Sequence, residues 1–141
     1  YLAVILDLFN REVVGWSMRP HMRQELVVDA LRMAWFRRRP APGLIMHSDR
    51  GSQYCSDDYR RLLRDHGFVA SMSGRGNCYD NAAMESFWGK LKTELVYRQT
   101  FATRQEARLA IFEYVETFYN RVRLHSALGF KSPVDFEQQT N

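Results

Sequence analysis

Two acidic residues, Asp49 and Glu85, stand where their side chains could do chemistry. Asp49 directly follows a short strand-like segment, and a carboxylate at the carboxyl end of a strand in an open sheet points into the crevice where ligands bind. Glu85 lies in the first turn of a predicted helix, and Gly89 one turn later leaves room beside it. Hard divalent cations prefer carboxylate oxygens, so one interpretation is a metal site. The alternative for Asp49 is an Asx turn that leads into Gly51.

The spacing of the two acids is weak evidence without its flanks. Thirty-five residues separate them, and a chain with eight Asp and eight Glu offers some acidic pair at almost any spacing. His47 precedes Asp49 by two residues and could share its strand face as a metal ligand, although a packed strand histidine is the simpler interpretation. Ser48 does not complete a hydrolase triad with them, because neighbours along a strand cannot converge on one another.

The elements that position these residues are predicted from hydrophobic periodicity and from turn and capping residues. An apolar run, a turn at Asn10 and Arg11 and a β-rich run predict a hairpin, after which helices and strands alternate. This order predicts an α/β fold, with a mixed sheet flanked by helices. The predicted strands are 1–8, 13–18, 44–47 and 68–72. The first three predicted helices comprise residues 24–39, the segment from Ser56 to Gly67, and a segment that begins near Asp80 or Asn81. A long helix begins at a capping box of Thr103 and Glu106, and a short last helix begins at Ser132 and Pro133.

Two of these helices carry apolar stripes predicted to face a core. On the helix of Glu85, a neighbouring face holds Glu85, Gly89 and Lys92. The predicted core residues are Met84, Phe87, Trp88, Leu91 and Leu95 on that helix, and Ala107, Ala110, Ile111, Tyr114, Val115 and Phe118 on the long helix.

Composition excludes several classes of protein. The 141 residues are 45% hydrophobic and 26% charged, which is typical of one packed domain and not of a disordered chain. The longest uncharged apolar run, residues 1–6, is far shorter than the roughly 20 residues of a membrane-spanning helix. Cys55 and Cys78 make neither a disulfide framework nor a zinc-type pair, which favours the reducing cytoplasm. A net charge of +4, carried mostly by arginine, favours a nucleic-acid partner.

The flanks of the two acids carry a resemblance to a known family. Residues 47–54 read HSDRGSQY and residues 79–94 read YDNAAMESFWGKLKTE. Both resemble the catalytic core of IS3-type insertion-sequence transposases, which belong to the retroviral-integrase superfamily. Matching segments elsewhere are DLFNR at 7–11, VGW at 14–16, YNRVRLH at 119–125 and SP at 132–133.

The resemblance implies a ribonuclease-H-like fold and a catalytic triad of Asp, Asp and Glu. It makes Asp49 the second acid and Glu85 the third, each both catalytic and a metal ligand. Two Mg²⁺ or Mn²⁺ ions about 3.5–4 Å apart would relieve charge on the attacking and leaving oxygens of a phosphodiester. An activated water would cut beside the end of a mobile element, and the freed 3′ hydroxyl would attack a second phosphodiester. The implied partners are DNA and at least one further copy of the chain.

Two basic residues are expected to contact DNA. By analogy with integrases, Lys92 would hold a phosphate beside the scissile one, since it lies two turns beyond Glu85 on the same face. The alternative for Lys92 is a solvated helix lysine. Arg75 lies in a glycine-rich loop, residues 73–77, beside the presumed site and is a second candidate for binding phosphate.

The sequence departs from the family at its start. In the family the first acid lies on the central strand of the sheet, and that strand would precede Tyr1. The chain is therefore treated as a fragment and is expected to be inactive alone. Asp7, on the next strand, is expected to cap the hairpin and not to replace the missing acid. Residues 1–141 are interpreted as one partial catalytic core domain, with a ribonuclease-H-like part at 1–119 and a C-terminal extension at 120–141.

Several interpretations stay open. The chain could be a non-catalytic remnant that binds DNA or sister subunits, or part of a different two-metal nuclease on the same fold. The basic cluster at 37–39 is expected to be a solvated helix end before it is a DNA contact. Arg121, Arg123 and His125 could touch substrate or cover the core. The aromatic residues are expected in the core before they stack on bases, and this set comprises Phe87, Trp88, Phe112, Tyr114, Phe118 and Tyr119.

Overall fold

The computed structural model describes residues 1–48, 52–72 and 82–140. Within these ranges a pair of strands is followed by alternating helices and strands, and the last strand is followed by helices only. This order confirms the predicted α/β class. The strands are β1 (Leu2–Leu6), β2 (Val13–Met18), β3 (Ile45–Ser48) and β4 (Val69–Met72), and the helices are α1 (Gln24–Arg38), α2 (Asp57–Asp65), α3 (Ala82–Glu94), α4 (Arg104–Phe112) and α5 (Pro133–Thr140).

Capping residues start three of these helices where the sequence predicts. At α2, Ser56 Oγ accepts a hydrogen bond from Tyr59 N–H at 3.3 Å, and at α4, Thr103 Oγ1 accepts one from Glu106 N–H at 3.1 Å. Ser132 plays the same part at α5. Each cap satisfies a backbone N–H that the first turn of a helix leaves without a partner.

The strands pair in both the antiparallel and the parallel direction. β1 and β2 form a hairpin, and β3 and β4 lie parallel, with Ile45 opposite Val69. The sequence predicts one mixed sheet, and both pairing directions are present, but in the described residues the strands make two separate two-stranded sheets. Periodicity predicts which segments are strands, but their neighbours depend on contacts between distant segments.

The turn of the hairpin confirms the role expected of Asp7. Asp7 Oδ1 accepts a hydrogen bond from Phe9 N–H at 2.8 Å, and the Asp7 carbonyl accepts one from Arg11 N–H at 2.7 Å. Arg11 has φ of 63°, in the left-handed region that favours glycine. Asp7 therefore closes a turn in which a bulky residue holds an unusual backbone conformation.

Contacts divide the chain into two compact units. The first comprises Tyr1–Ile5 with Val14–Ala82, and the second comprises Leu6–Val13 with Ala83–Asn141. In the first unit β2 and α1 approach closely at Gly15, where an added Cβ would lie 2.2 Å from the Ala30 carbonyl oxygen. The core cluster of this unit is apolar apart from the Tyr59 hydroxyl and consists of Ala3, Leu26, Val27, Val28, Ala30, Leu31, Tyr59, Leu63 and Phe68.

The long helix of the second unit changes its winding after α4. A π-helical segment, Glu113–Tyr119, continues it, and Asn120 N–H donates to the Val115 carbonyl at 3.1 Å. Because π-helical bonds span five residues, the later side chains are rotated relative to an α-helix. Tyr119 is therefore buried, at 2% exposure, whereas Phe118 is 38% exposed. The prediction of Phe118 as a core residue was wrong for this reason.

Candidate functional site

The α3 helix of the second unit presents the face on which Glu85 was predicted. Phe87, Leu91 and Leu95 are buried, as the apolar stripe predicts. Glu85 lies in the first turn, where a carboxylate also interacts favourably with the helix dipole. Burial of the stripe thus fixes the rotation of α3 and turns the neighbouring face outward.

That outward face holds an acid, a glycine and a lysine. Glu85, Gly89 and Lys92 are all exposed, at positions i, i+4 and i+7 of the helix. An added Cβ at Gly89 would meet no atom of the described residues within 4 Å, so packing among these residues does not require glycine there. Within the part of the chain that the structure describes, no hydrogen bond or ion pair engages the Glu85 carboxylate. Glu85 can therefore accept a cation or a proton donor without breaking a contact with another described residue.

The other two predicted site residues, Asp49 and Arg75, lie outside the described residues. The glycine-rich loop at 73–77 lies outside them as well. Among the described residues, no group of three or more His, Cys, Asp or Glu is arranged to hold a metal ion. The structure thus brings Glu85 and Lys92 to one face, and the remaining pairings stay predictions.

His47 on β3 is held within its own sheet. Its Nδ1 lies 3.0 Å from Ser71 Oγ on the neighbouring strand β4. Its Nε2 is buried and has no hydrogen-bond partner in the described ranges. The contact with Ser71 supports the interpretation of a packed strand histidine.

Arg123 and His125, whose roles the sequence leaves open, lie within the second unit. Arg123 Nε donates to both carboxylate oxygens of Glu94, at 2.5 and 2.9 Å, and so ties the end of α3 to the C-terminal segment. His125 is 2% exposed, and its ring packs edge-on against Tyr119 with centroids 4.7 Å apart. Burial, reinforced by the charge of Lys90, lowers the pKa of His125 to about 4. Both residues thus cover the core, whereas Arg121 is exposed.

Buried asparagines join the hairpin turn to the C-terminal segment. Asn120 Oδ1 accepts a hydrogen bond from Val13 N–H at 2.9 Å, and Asn120 Nδ2 donates to the Val13 carbonyl at 3.0 Å. Asn10 is fully buried, and its Nδ2 donates to Glu137 at 2.8 Å. Sequence reasoning missed both contacts. The only sign of these contacts in the sequence is that each asparagine lies in a segment that resembles the family.

Of the six aromatic residues expected in the core, three are buried, two are exposed, and Trp88 is half-buried. Phe87, Tyr114 and Tyr119 are buried, which confirms the core interpretation for them. The Tyr114 hydroxyl donates to Glu94 at 3.3 Å, and burial raises the pKa of Tyr119 to about 12. Phe112 and Phe118 are 48% and 38% exposed, so the core interpretation was wrong for these two residues.

The basic cluster at the end of α1 contacts an aromatic ring. Arg37 and Arg38 lie in the last turn, where cations interact favourably with the helix dipole. Arg39 caps the helix in the left-handed conformation, and its guanidinium lies 4.9 Å from the centre of the Trp35 ring. These contacts support the interpretation of a helix end.

Comparison with known proteins places these features in a family. The integrase core domain family matches residues 1–78, and a second integrase core domain family matches residues 85–140. The chain belongs to the integrase core domain family. The match confirms the resemblance recognised in the flanks of Asp49 and Glu85.

Two bacterial transposases are similar to this integrase core along nearly its whole length. The transposase for insertion sequence element IS904 of Lactococcus lactis is 52% identical over 138 residues, which are 98% of this chain and 54% of that protein. Transposase InsF for insertion sequence IS3fB of Escherichia coli is 49% identical over 139 residues, 99% of this chain and 48% of that protein. The chain thus spans about half the length of the curated relatives it matches.

Solved structures of retroviral integrases share the fold. A chain of the simian T-cell lymphotropic virus intasome, in complex with PP2A regulatory subunit B56 gamma, aligns with a TM-score of 0.73 and 14% identity over 96% of this chain and 47% of that chain. The HTLV-2 integrase catalytic core domain, in complex with magnesium in a trimeric form, aligns with a TM-score of 0.68 and 14% identity over 96% of this chain and 82% of its own. These likenesses confirm the ribonuclease-H-like fold.

None of the helices of this integrase core in the described ranges combines the length and the apolar character needed to cross a bilayer.

Proposed function

We propose that this integrase core forms part of the active site of a DNA transposase that cuts and joins phosphodiesters. The supporting observations are membership of the family and the exposed carboxylate of Glu85, which has no partner among the described residues and shares a helix face with Gly89 and Lys92. The half-length match to bacterial transposases favours a parent protein that works on the ends of a mobile element. We place that work on DNA in the bacterial cytosol, by at least a dimer, since two ends must be paired.

In this proposal Asp49 and Glu85 are the chain's metal ligands. The donor chemistry of Glu85 fits, because its carboxylate oxygens are hard, exposed and free of internal partners within the described residues. Two bound Mg²⁺ or Mn²⁺ ions would activate an oxygen nucleophile and relieve charge on the leaving oxygen. The magnesium in the HTLV-2 integrase core is consistent with this choice of metal.

The α3 face would orient the nucleic acid. Lys92 supplies a positive charge two turns from Glu85, which suits a phosphate next to the scissile one. Gly89 keeps the surface between them low, although glycine within a helix costs about 1 kcal/mol relative to alanine. That cost is explained if a DNA backbone must approach the helix there. Arg75 is proposed as a further phosphate contact.

The test uses the chain extended at its N terminus by the codons in frame upstream. Incubated with Mg²⁺ or Mn²⁺ and duplex DNA that carries the element's end, the extended protein should produce both nicked and joined products. Glu85→Gln and Asp49→Asn should abolish both products and leave DNA binding largely intact, since these side chains act on the reacting phosphate. Glu113→Gln, which removes an exposed acid beyond α4, is the matched control and should retain activity.

Several outcomes would contradict the proposal. Full activity of Glu85→Gln would remove Glu85 from the site, and loss of DNA binding in that variant would give it a structural role. Cut products without joined ones would favour a nuclease. The 141-residue chain alone is predicted to show no turnover in the same assay, and clear turnover would refute that prediction.

A further inference from the structure

Glu94, the last residue of α3, is held by two partners from other segments of the second unit. Arg123 Nε donates to both of its carboxylate oxygens, at 2.5 and 2.9 Å, and the Tyr114 hydroxyl donates to one of them at 3.3 Å. Lys90, one turn earlier on the same helix, makes no ion pair with Glu94 among the described residues. Both partners of this carboxylate therefore lie outside α3, and the contacts tie the end of the helix to the segments that follow it.

The position of Glu94 within its own helix is unfavourable for a carboxylate. A negative charge in the last turn is repelled by the negative end of the helix dipole. The side chains of Glu94 and Arg123 are 24% and 23% exposed, so loss of either one leaves the other charge partly buried and without its partner. The acid thus gains its stability from contacts with other segments and not from α3.

The π-helical segment contacts α3 at a second point. Tyr114 and Tyr119 are both buried, and their ring centroids lie 6.0 Å apart. Tyr114 reaches Glu94, whereas the Tyr119 ring packs edge-on against Phe87 with centroids 5.1 Å apart. In an α-helix two residues five positions apart lie about 140° around the axis from each other, so the π-helical winding brings both rings toward α3. Single π-helical turns are frequent at functional sites.

The α3 helix transmits these contacts to Glu85. The buried stripe with Phe87 and Leu91 opposes rotation of the helix, but apolar contacts are not directional. The hydrogen bonds to Glu94 are directional, so they oppose sliding of the helix along its axis. Glu85 precedes Glu94 by nine residues, which is about 13.5 Å along the axis. A slide of the helix end therefore displaces Glu85 by the same distance.

We propose that Glu94, Arg123 and Tyr114 are positioning residues that hold Glu85 where its carboxylate can bind a divalent metal ion. Glu85 has no hydrogen bond or ion pair among the described residues, so its placement depends on the helix that carries it. Mg²⁺ requires near-ideal octahedral geometry at about 2.0–2.1 Å, so it binds poorly to a ligand displaced by about 1 Å. The inference rests on the proposed function in that it takes Glu85 as a metal ligand.

The first experiment measures binding of Mn²⁺ to the N-terminally extended protein, from the loss of the free-ion signal in electron paramagnetic resonance. Arg123→Gln and Glu94→Gln should each weaken Mn²⁺ binding about tenfold, as is typical when a group that orients a metal ligand is removed. Tyr114→Phe removes one hydrogen bond and keeps the ring, so it should weaken binding less. Unchanged Mn²⁺ affinity in both Arg123→Gln and Glu94→Gln would overturn the inference.

Thermal melts of two further variants separate positioning from stability. Thr103→Ala removes the cap of α4 in the same unit, so it should lower the melting temperature and leave Mn²⁺ binding unchanged. Glu94→Met combined with Arg123→Met leaves neither charge unpaired, so this double variant should melt at a higher temperature than Arg123→Gln. It should still bind Mn²⁺ weakly, because the directional contacts are lost. Recovery of Mn²⁺ binding along with the melting temperature would overturn the inference and give the pair a purely structural role.

The Mg²⁺ dependence of strand cleavage provides a second measurement. With duplex DNA that carries the element's end, Arg123→Gln should raise the Mg²⁺ concentration that gives half the maximal rate. The affinity of this variant for the duplex, measured by fluorescence anisotropy, should stay the same. A rate reduced by the same factor at every Mg²⁺ concentration would contradict a positioning role.

Glu85→Gln distinguishes failure of the inference from failure of the proposed function. If Glu85→Gln binds Mn²⁺ as tightly as the unsubstituted extended protein, Glu85 is not a metal ligand and the proposed function fails. If Glu85→Gln weakens Mn²⁺ binding while Arg123→Gln and Glu94→Gln do not, the proposed function stands and the inference alone fails.

Discussion

The two units of this integrase core bury different kinds of group. The first unit packs apolar side chains of α1 against its neighbours, and Ser17 is a polar exception. The second unit buries Asn10, Asn120, His125 and Ser132, all at 3% exposure or less. An apolar core depends on shape, because close-packed side chains tolerate neither gaps nor extra atoms. A polar core depends on partners, because a buried polar group without one costs desolvation energy.

A substitution at Gly15 would test the dependence on shape and should cost about as much stability as protonation of His125. Gly15→Ala places a Cβ 2.2 Å from the Ala30 carbonyl oxygen and 2.9 Å from the Ala34 Cβ, so β2 and α1 must separate. We expect a loss of about 3 kcal/mol in the free energy of unfolding, measured by urea denaturation. Gly89→Ala is the control and should gain about 0.5–1 kcal/mol, since its Cβ meets open space. Small effects of equal size in Gly15→Ala and Gly89→Ala would show that the first unit does not depend on close packing at Gly15.

Acid should weaken the second unit through His125. Burial lowers the pKa of His125 to about 4 in the folded chain, whereas an unfolded histidine titrates near 6.5. Between these values the unfolded chain binds the proton and the folded chain does not, so stability is complete above pH 6.5 and falls toward pH 4. The expected loss over this window is on the order of 3 kcal/mol. Denaturation at a series of pH values measures it.

The matched control for this pH dependence is a histidine substitution in the first unit. His125→Gln should flatten the pH dependence between 6.5 and 4, whereas His21→Gln should keep it. An unchanged profile in His125→Gln would show that the second unit does not depend on an uncharged histidine.

Removal of the Asn120 amide should have the smallest of the three effects. Asn120→Ala leaves the Val13 N–H and carbonyl without their side-chain partners, at a place where both are buried. We expect a loss of about 2 kcal/mol in the free energy of unfolding. Gln105→Ala on the exposed face of α4 should change it by less than about 0.5 kcal/mol. A neutral Asn120→Ala would show that water replaces the amide and that polar pairing is not what holds the turn.

Prediction from sequence worked best where the determining contacts are local. Ser56 and Thr103 were predicted to cap helices, and each accepts the expected hydrogen bond from a residue three positions later. The stripe through Phe87 and Leu91 was predicted from helical spacing, and its burial turns Glu85 outward as expected. The roles of Asp49, Glu85, Lys92 and Arg75 came from the family motif and not from spacing.

Prediction from sequence was insufficient where a local irregularity of a helix or a contact with a distant residue determines the position of a side chain. The π-helical segment exchanges Phe118 for Tyr119 in the core, and no residue type marks that change of winding. The sequence left open whether Arg123 touches substrate or covers the core, because its partner Glu94 is 29 residues away. Distant pairings of this kind leave no periodic signal.

The sequence by itself determined the order of strands and helices and, through its motif, the family. Caps, prolines and apolar periodicity act over a few residues, so they operate before the chain has a global shape. Only the tertiary structure decided that Asn120 would pair with Val13 across 107 residues, and that Arg123 would bind Glu94 across 29 residues. Those contacts form only where whole segments pack together, so the free energy that favours them is gained in the folded chain and not in isolated segments.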